Sequence, residues 1–86
     1  MIATYDDTAD ALYLRLREGV PVARSVVVDE DRVVDLDALG HAVGIEILGA
    51  SGGVHLTDLV ERFSLHPFLT SLRKAELATY PSVEFA

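Results

Sequence analysis

Apolar and polar residues alternate with a period of two along much of the first fifty positions, and the period then lengthens. Ile2–Asp6 reads as a short strand, followed by a polar turn, Asp6-Asp7-Thr8-Ala9-Asp10, rich in side chains that cap their own backbone. In Ala11–Glu18, Leu12, Leu14 and Leu16 share one side while Tyr13, Arg15 and Arg17 share the other, the pattern of a half-buried strand with an aromatic, basic outer face. A helix would scatter those arginines around its circumference. Gly19-Val20-Pro21 interrupts the strand and Val22–Val28 resumes it, with three consecutive valines favouring β but both faces open as the buried one. Asp29-Glu30-Asp31 is the next turn.

The clearest segment is Arg32–Ala50, two alternating arms joined by Asp37-Ala38-Leu39-Gly40. Asp suits the first position of a type I turn because its carboxylate bonds backbone N–H groups two residues on. Gly suits the fourth, where φ turns positive. Val34 and Leu36 on one arm, and Val43, Ile45 and Ile47 on the other, are expected to meet in a single core.

Ser51-Gly52-Gly53 ends the β region. Leu56, Leu59, Val60 and Phe63 then fall at helical spacing, with Asp58, Glu61 and Arg62 off the stripe. Pro67 fits the first turn of a second helix, striped by Phe68, Leu69, Leu72 and Ala75 and ending with Arg73 and Lys74, where the helix dipole favours cations. The expected fold is α+β: an antiparallel β-meander of four to five strands over residues 2–50. One or two C-terminal amphipathic helices (54–79) pack on one face, and 80–86 forms a tail. The whole chain, 1–86, reads as a single domain, with no internal repeat.

A chain of this length buries roughly 60–65% of its unfolded surface, enough for one modest core. There is no cysteine, no apolar run approaches the ~20 residues of a membrane span, and the N-terminus has neither the basic nor the apolar region of a signal peptide. A cytoplasmic location without membrane attachment follows as the expectation. The net charge is −7, and residues 1–50 hold ten acids against four arginines. Such acidity disfavours direct nucleic-acid binding and suits a basic partner protein.

Tyr5-Asp6-x-x-Ala9-Asp10-Ala11-Leu12-Tyr13-Leu14-x-Leu16 resembles the opening signature of the DUF2283 family, small bacterial proteins of unknown function. Val33-Val34-Asp35-Leu36-Asp37-x-x-Gly40-x-x-Val43-Gly44-Ile45-Glu46-Ile47-Leu48-x-Ala50-Ser51 is similar to that family's second half. The resemblance covers about residues 2–51. It implies a β-meander module with short, variable helical extensions, and implies no activity. Some members are associated with toxin–antitoxin-like gene pairs, and for this chain that implies an antitoxin-like role toward a basic partner.

Motifs for chemistry are weak. Asp35, Asp37, Gly40 and Glu46 match a calcium loop at positions 1, 3, 6 and 12, but Leu39 at position 5 offers no oxygen and the flanks are not helical. His41, His55 and His66 lack metal-ligand spacing. Ser51-Gly52-Gly53 has no lysine or surrounding phosphate-loop context, and no serine sits in a nucleophile elbow. No catalytic, cofactor-binding or metal-binding residue is assigned, and no cofactor is expected. The residues most suited to an interface or site are Tyr5, Asp10, Tyr13, Arg15, Arg17, His41, Glu46 and His55. Glu46, between two isoleucines, is expected to pair across the strands with Arg15 or Arg17. The functional expectation is a non-enzymatic, acidic interaction module that homodimerises, since a small sheet leaves edges exposed. The alternative is an enzyme or ligand-binding domain whose site assembles from Asp10, Glu46, His41 and His55 at a dimer interface. Small meanders seldom enclose a pocket of the ~300 Å³ that ligands need.

Overall fold

The computed structural model describes residues 1–81 and contains a five-stranded antiparallel sheet followed by C-terminal helices. The strands are β1 (Ile2–Asp6), β2 (Ala11–Arg15), β3 (Arg24–Val27), β4 (Arg32–Leu36) and β5 (Ala42–Leu48). A 3₁₀ turn at Ala50–Gly52 leads to helix α1 (Thr57–Arg62), and a second 3₁₀ turn at His66–Phe68 opens helix α2 (Leu69–Leu77). Of the expected tail, the part beyond Pro81, including Val83 and Phe85, lies outside the described residues.

The strand order is β1-β2-β5-β4-β3. β3, β4 and β5 form a hairpin-connected meander, and the β1–β2 hairpin lies along the free side of β5. β2 and β3 are consecutive in sequence yet have two strands, β5 and β4, between them, because residues 16–23 cross the end of the sheet instead of turning back. The β4–β5 turn has the predicted chemistry. Gly40 N–H donates to Asp37 C=O at 3.0 Å, and Asp37 Oδ1 accepts from the N–H groups of Leu39 and His41, both at 2.9 Å. Gly40 has φ 86°, which closes the turn into the next strand.

Just beyond the turn the ladder slips: Asp35 faces Gly44 while Leu36 faces Ala42, so Val43 is the extra residue of a bulge. Val43 was expected in the core with Ile45 and Ile47. It is buried, but the bulge gives the core position to Ala42.

One face of the sheet, carrying Leu12, Leu14, Val34, Leu36, Ile45 and Ile47, packs on Leu56, Leu59, Val60, Leu65, Leu72 and Ala75 of the helical layer. Each leucine, isoleucine and valine among them contributes about 1.5–3 kcal/mol by burial. β3 resolves its ambiguous alternation by turning Val26 toward this core and leaving Val27 72% exposed. Between the helices, Leu65 N–H donates to Val60 C=O at 2.9 Å while Ser64 takes φ 56°, a Schellman-type stop that buries Val60 and Leu65. No helix among the described residues is long and apolar enough to cross a membrane.

Candidate functional site

The helices cover one face of the sheet. The register places Ile2, Thr4, Tyr13, Arg15, Gly44, Glu46, Leu48, Val33, Asp35, Val27 and Ser25 on the other. At its centre the Tyr13 ring lies across Gly44, close enough that a Cβ on residue 44 would collide with the phenol. Tyr13 Oη donates to Asp35 Oδ2 at 2.8 Å, and Ser25 Oγ donates to Asp35 Oδ1 at 2.6 Å, so one carboxylate ties β2, β4 and β3 together across the strand between. Burial and this hydrogen bond push the Tyr13 phenol up to about 12. The Arg15 guanidinium lies 5.6 Å from the Tyr13 ring centroid. Around this polar line are exposed apolar side chains: Ile2 at 49%, Leu48 at 41% and Val27 at 72%.

Glu46 belongs to this face but does not form the expected cross-strand ion pair with Arg15 or Arg17. The register sets Glu46 opposite Tyr13 and Val33, and sets Arg15 opposite Gly44. Glu46 and Arg15 have no salt-bridge partner among the described residues.

Tyr5 and Asp10 belong to a different assembly. Asp10 accepts from Tyr5 Oη at 2.6 Å, Ser51 N–H at 2.8 Å and Ser51 Oγ at 2.6 Å, and its own carbonyl accepts from Ala50 N–H at 3.2 Å. The Ser51 and Tyr5 hydrogen bonds hold its carboxyl below the usual range. The residue has φ 50°, a conformation Asp tolerates and which aims its side chain at the end of β5. Tyr5 also packs on Tyr80, with ring centroids 5.3 Å apart. These residues latch the β1–β2 hairpin to the following turn.

His55 lines a cleft of about 400 Å³ with Asp29, Asp31, Arg32 and the glycines at 49, 52 and 53. The cleft is ligand-sized but open to solvent, not an enclosed pocket. Its principal charges are committed to one another: Arg32 reaches Asp58 Oδ1 at 2.6 Å, Asp58 Oδ2 at 2.9 Å, Asp29 Oδ2 at 2.8 Å and the His55 carbonyl at 3.0 Å. Arg32 clamps the start of β4 to the first turn of α1. Its signal in sequence was parity, since Arg32 alternates in phase with core-facing Val34 and Leu36 and so demands partners on the covered side.

Arg17 and His41 lie at the opposite end of the strands, in a smaller cleft with Arg62. Charge is thus polarised along the sheet. Asp6, Asp7, Asp10, Asp29, Glu30 and Asp31 cluster with Arg32 at one end, while Arg15, Arg17, Arg24 and Arg62 gather with Asp35 and Asp37 at the other.

Of the eight singled-out residues, Tyr13, Arg15 and Glu46 share the open face, Tyr5 and Asp10 the latch, and Arg17 and His41 the small cleft, with His55 apart. Asp10, Glu46, His41 and His55 do not converge within one chain. Sequence reasoning weighed Asp35 as a calcium ligand and gave no site role to Gly44, Ser25, Arg32 or Arg62. A glycine inside an alternating strand was the available sign of a close approach. No group of three or more His, Cys, Asp or Glu among the described residues is placed to hold a metal.

Residues 3–51, more than half of the chain, match the model of a family described as a protein of unknown function, DUF2283, and the chain belongs to that family. The match ends at Ser51, so it contains the sheet, the Asp10 latch and the Tyr13–Asp35 line but not the helices. No curated protein matches the chain, and no solved structure does.

Proposed function

We propose that this member of the DUF2283 family is a non-catalytic interaction module that self-associates through the open face of its sheet. The observation that carries the reading is that face itself, with Val27, Ile2 and Leu48 exposed around a Tyr13 ring held rigid by Asp35 and Gly44. A rigid aromatic anchor on a face that also exposes apolar side chains at its margins has the composition of an interface.

A second copy fits by charge. Two sheets stacked with strands antiparallel set the acidic end of each over the basic end of the other. They also bring Arg15 of one copy toward Glu46 of the next, two charges with no salt bridge in their own chain among the described residues. Five strands at about 4.8 Å spacing give a face about 24 Å wide, so the contact belongs to the small, concentration-dependent class. The site assembled from Asp10, Glu46, His41 and His55 gains no support from the fold, since the four residues lie apart in the chain and Asp10 already accepts three hydrogen bonds in its latch.

Sedimentation equilibrium over a wide concentration range tests this. The expected result is a dimer that Val27→Lys with Leu48→Lys abolishes while the circular dichroism of the sheet is unchanged. A monomer at every concentration, or a dimer indifferent to both substitutions, overturns the reading. A monomer whose acidic end binds a polylysine peptide, with loss in Asp7→Asn/Glu30→Gln/Asp31→Asn, supports the basic-partner reading instead.

A further inference from the structure

We infer that the cleft between the β4–β5 turn and the end of α1 is a binding site for a small oxyanion of the phosphate type. Arg17, His41, Arg62 and Ser64 line it together with the Phe63 ring, and no carboxylate does. In a chain of net charge −7, a concavity walled by two guanidiniums and an imidazole runs against the composition.

Both arginines are held for the task. The Arg17 guanidinium lies 5.9 Å from the Phe68 ring centroid and that of Arg62 lies 5.1 Å from Phe63. A guanidinium near a ring face is attracted by the ring without spending its N–H donors, and the guanidinium fork suits a tetrahedral or planar oxyanion. Neither arginine has a salt bridge among the described residues. The neighbouring acid is Asp37, whose Oδ1 is taken by the N–H groups of Leu39 and His41 and whose Oδ2 lies 3.8 Å from His41 Nδ1. It anchors the turn that presents His41.

Size restricts the ligand. The cleft holds about 180 Å³, below the ~300 Å³ at which drug-sized ligands are enclosed. It accommodates an inorganic anion or the terminal phosphate of a small metabolite, with the rest of such a molecule outside. The cleft lies on the helix side, away from the open face.

The test is a titration of ¹⁵N-labelled protein with inorganic phosphate, and separately with glycerol 3-phosphate, at fixed ionic strength. Saturable amide shifts confined to residues 40–43 and 62–65 are expected. Arg17→Gln and Arg62→Gln should each weaken binding by about tenfold or more, while Lys74→Gln, a cation that lines a different cleft, should leave it unchanged. Tighter binding of inorganic phosphate assigns the site to the free anion, and tighter binding of the ester assigns it to a metabolite. The absence of saturable shifts, tighter binding of acetate than of either phosphate, or equal weakening by Lys74→Gln overturns the inference.

Discussion

The Tyr13 ring occupies the space that a side chain on Gly44 would fill. Adding a methyl there forces the ring off the sheet and breaks the hydrogen bond to Asp35. Gly44→Ala should therefore destabilise the fold by about 1–3 kcal/mol, the usual range for overpacking. Urea denaturation of Gly44→Ala in the native and Tyr13→Ala backgrounds forms a double-mutant cycle. The penalty should shrink when the ring is gone, and an undiminished one would mean that Gly44 is required for its backbone alone.

Tyr13→Phe keeps the ring and removes the donor to Asp35. A loss of about 1 kcal/mol is expected, because Asp35 retains Ser25 and some access to water. Burial and Asp35 hold the folded phenol up at about 12, above its ordinary 10.0. The neutral form is thus the one the fold favours. Its contribution is complete below pH 10 and disappears as pH rises from 10 toward 12. The stability gap between native protein and Tyr13→Phe should close over that window. Burial and Asp10 likewise raise Tyr5 to about 12, and burial raises Tyr80, so spectrophotometric titration should find no phenol ionising at the ordinary value while the chain is folded.

Much of this sheet was written in alternation. Leu12, Leu14 and Leu16 against Tyr13, Arg15 and Arg17 gave β2 and its faces, and Asp37 with Gly40 gave the turn. What periodicity does not carry is the neighbour. β5 as the second partner of β2 is a contact between segments some thirty residues apart, so Glu46 was matched with an arginine when the register offers it Tyr13. The same holds for Val43, displaced by a bulge that only pairing defines. Charge shows the point most plainly. Sums along the chain make the β region uniformly acidic, but folding sends Arg15, Arg17 and Arg24 to one end and most of the aspartates to the other. The Arg17–Arg62 cleft exists only after α1 has docked.

Acid should weaken the fold through four carboxylates held below their ordinary value. Ser51 and Tyr5 act on Asp10, Arg32 on Asp29 and on Asp58, and the His41 and Leu39 N–H groups on Asp37. A depressed folded pKa contributes stability above the unfolded value of 3.8 that is lost as pH falls below it. The melting temperature should therefore hold from pH 7 to about 5 and decline toward pH 2. Asp10→Asn should lower the plateau and flatten the decline. An Asp10→Asn variant with an unchanged acid limb would show that the latch carries none of it.

Ser64 sits at φ 56° immediately after α1, in the position where helices most often place glycine. An L-residue there costs roughly 1–2 kcal/mol because its Cβ crowds the following carbonyl. Part of any gain from removing that Cβ is offset by the greater freedom of glycine in the unfolded chain. The Schellman bond from Leu65 N–H to Val60 C=O needs the backbone alone and survives the change. Ser64→Gly should accordingly stabilise the protein by about 0.5–1 kcal/mol, read as a higher urea midpoint at constant m-value. A neutral or destabilising result would mean that the Ser64 hydroxyl contributes to the fold more than its strained backbone costs.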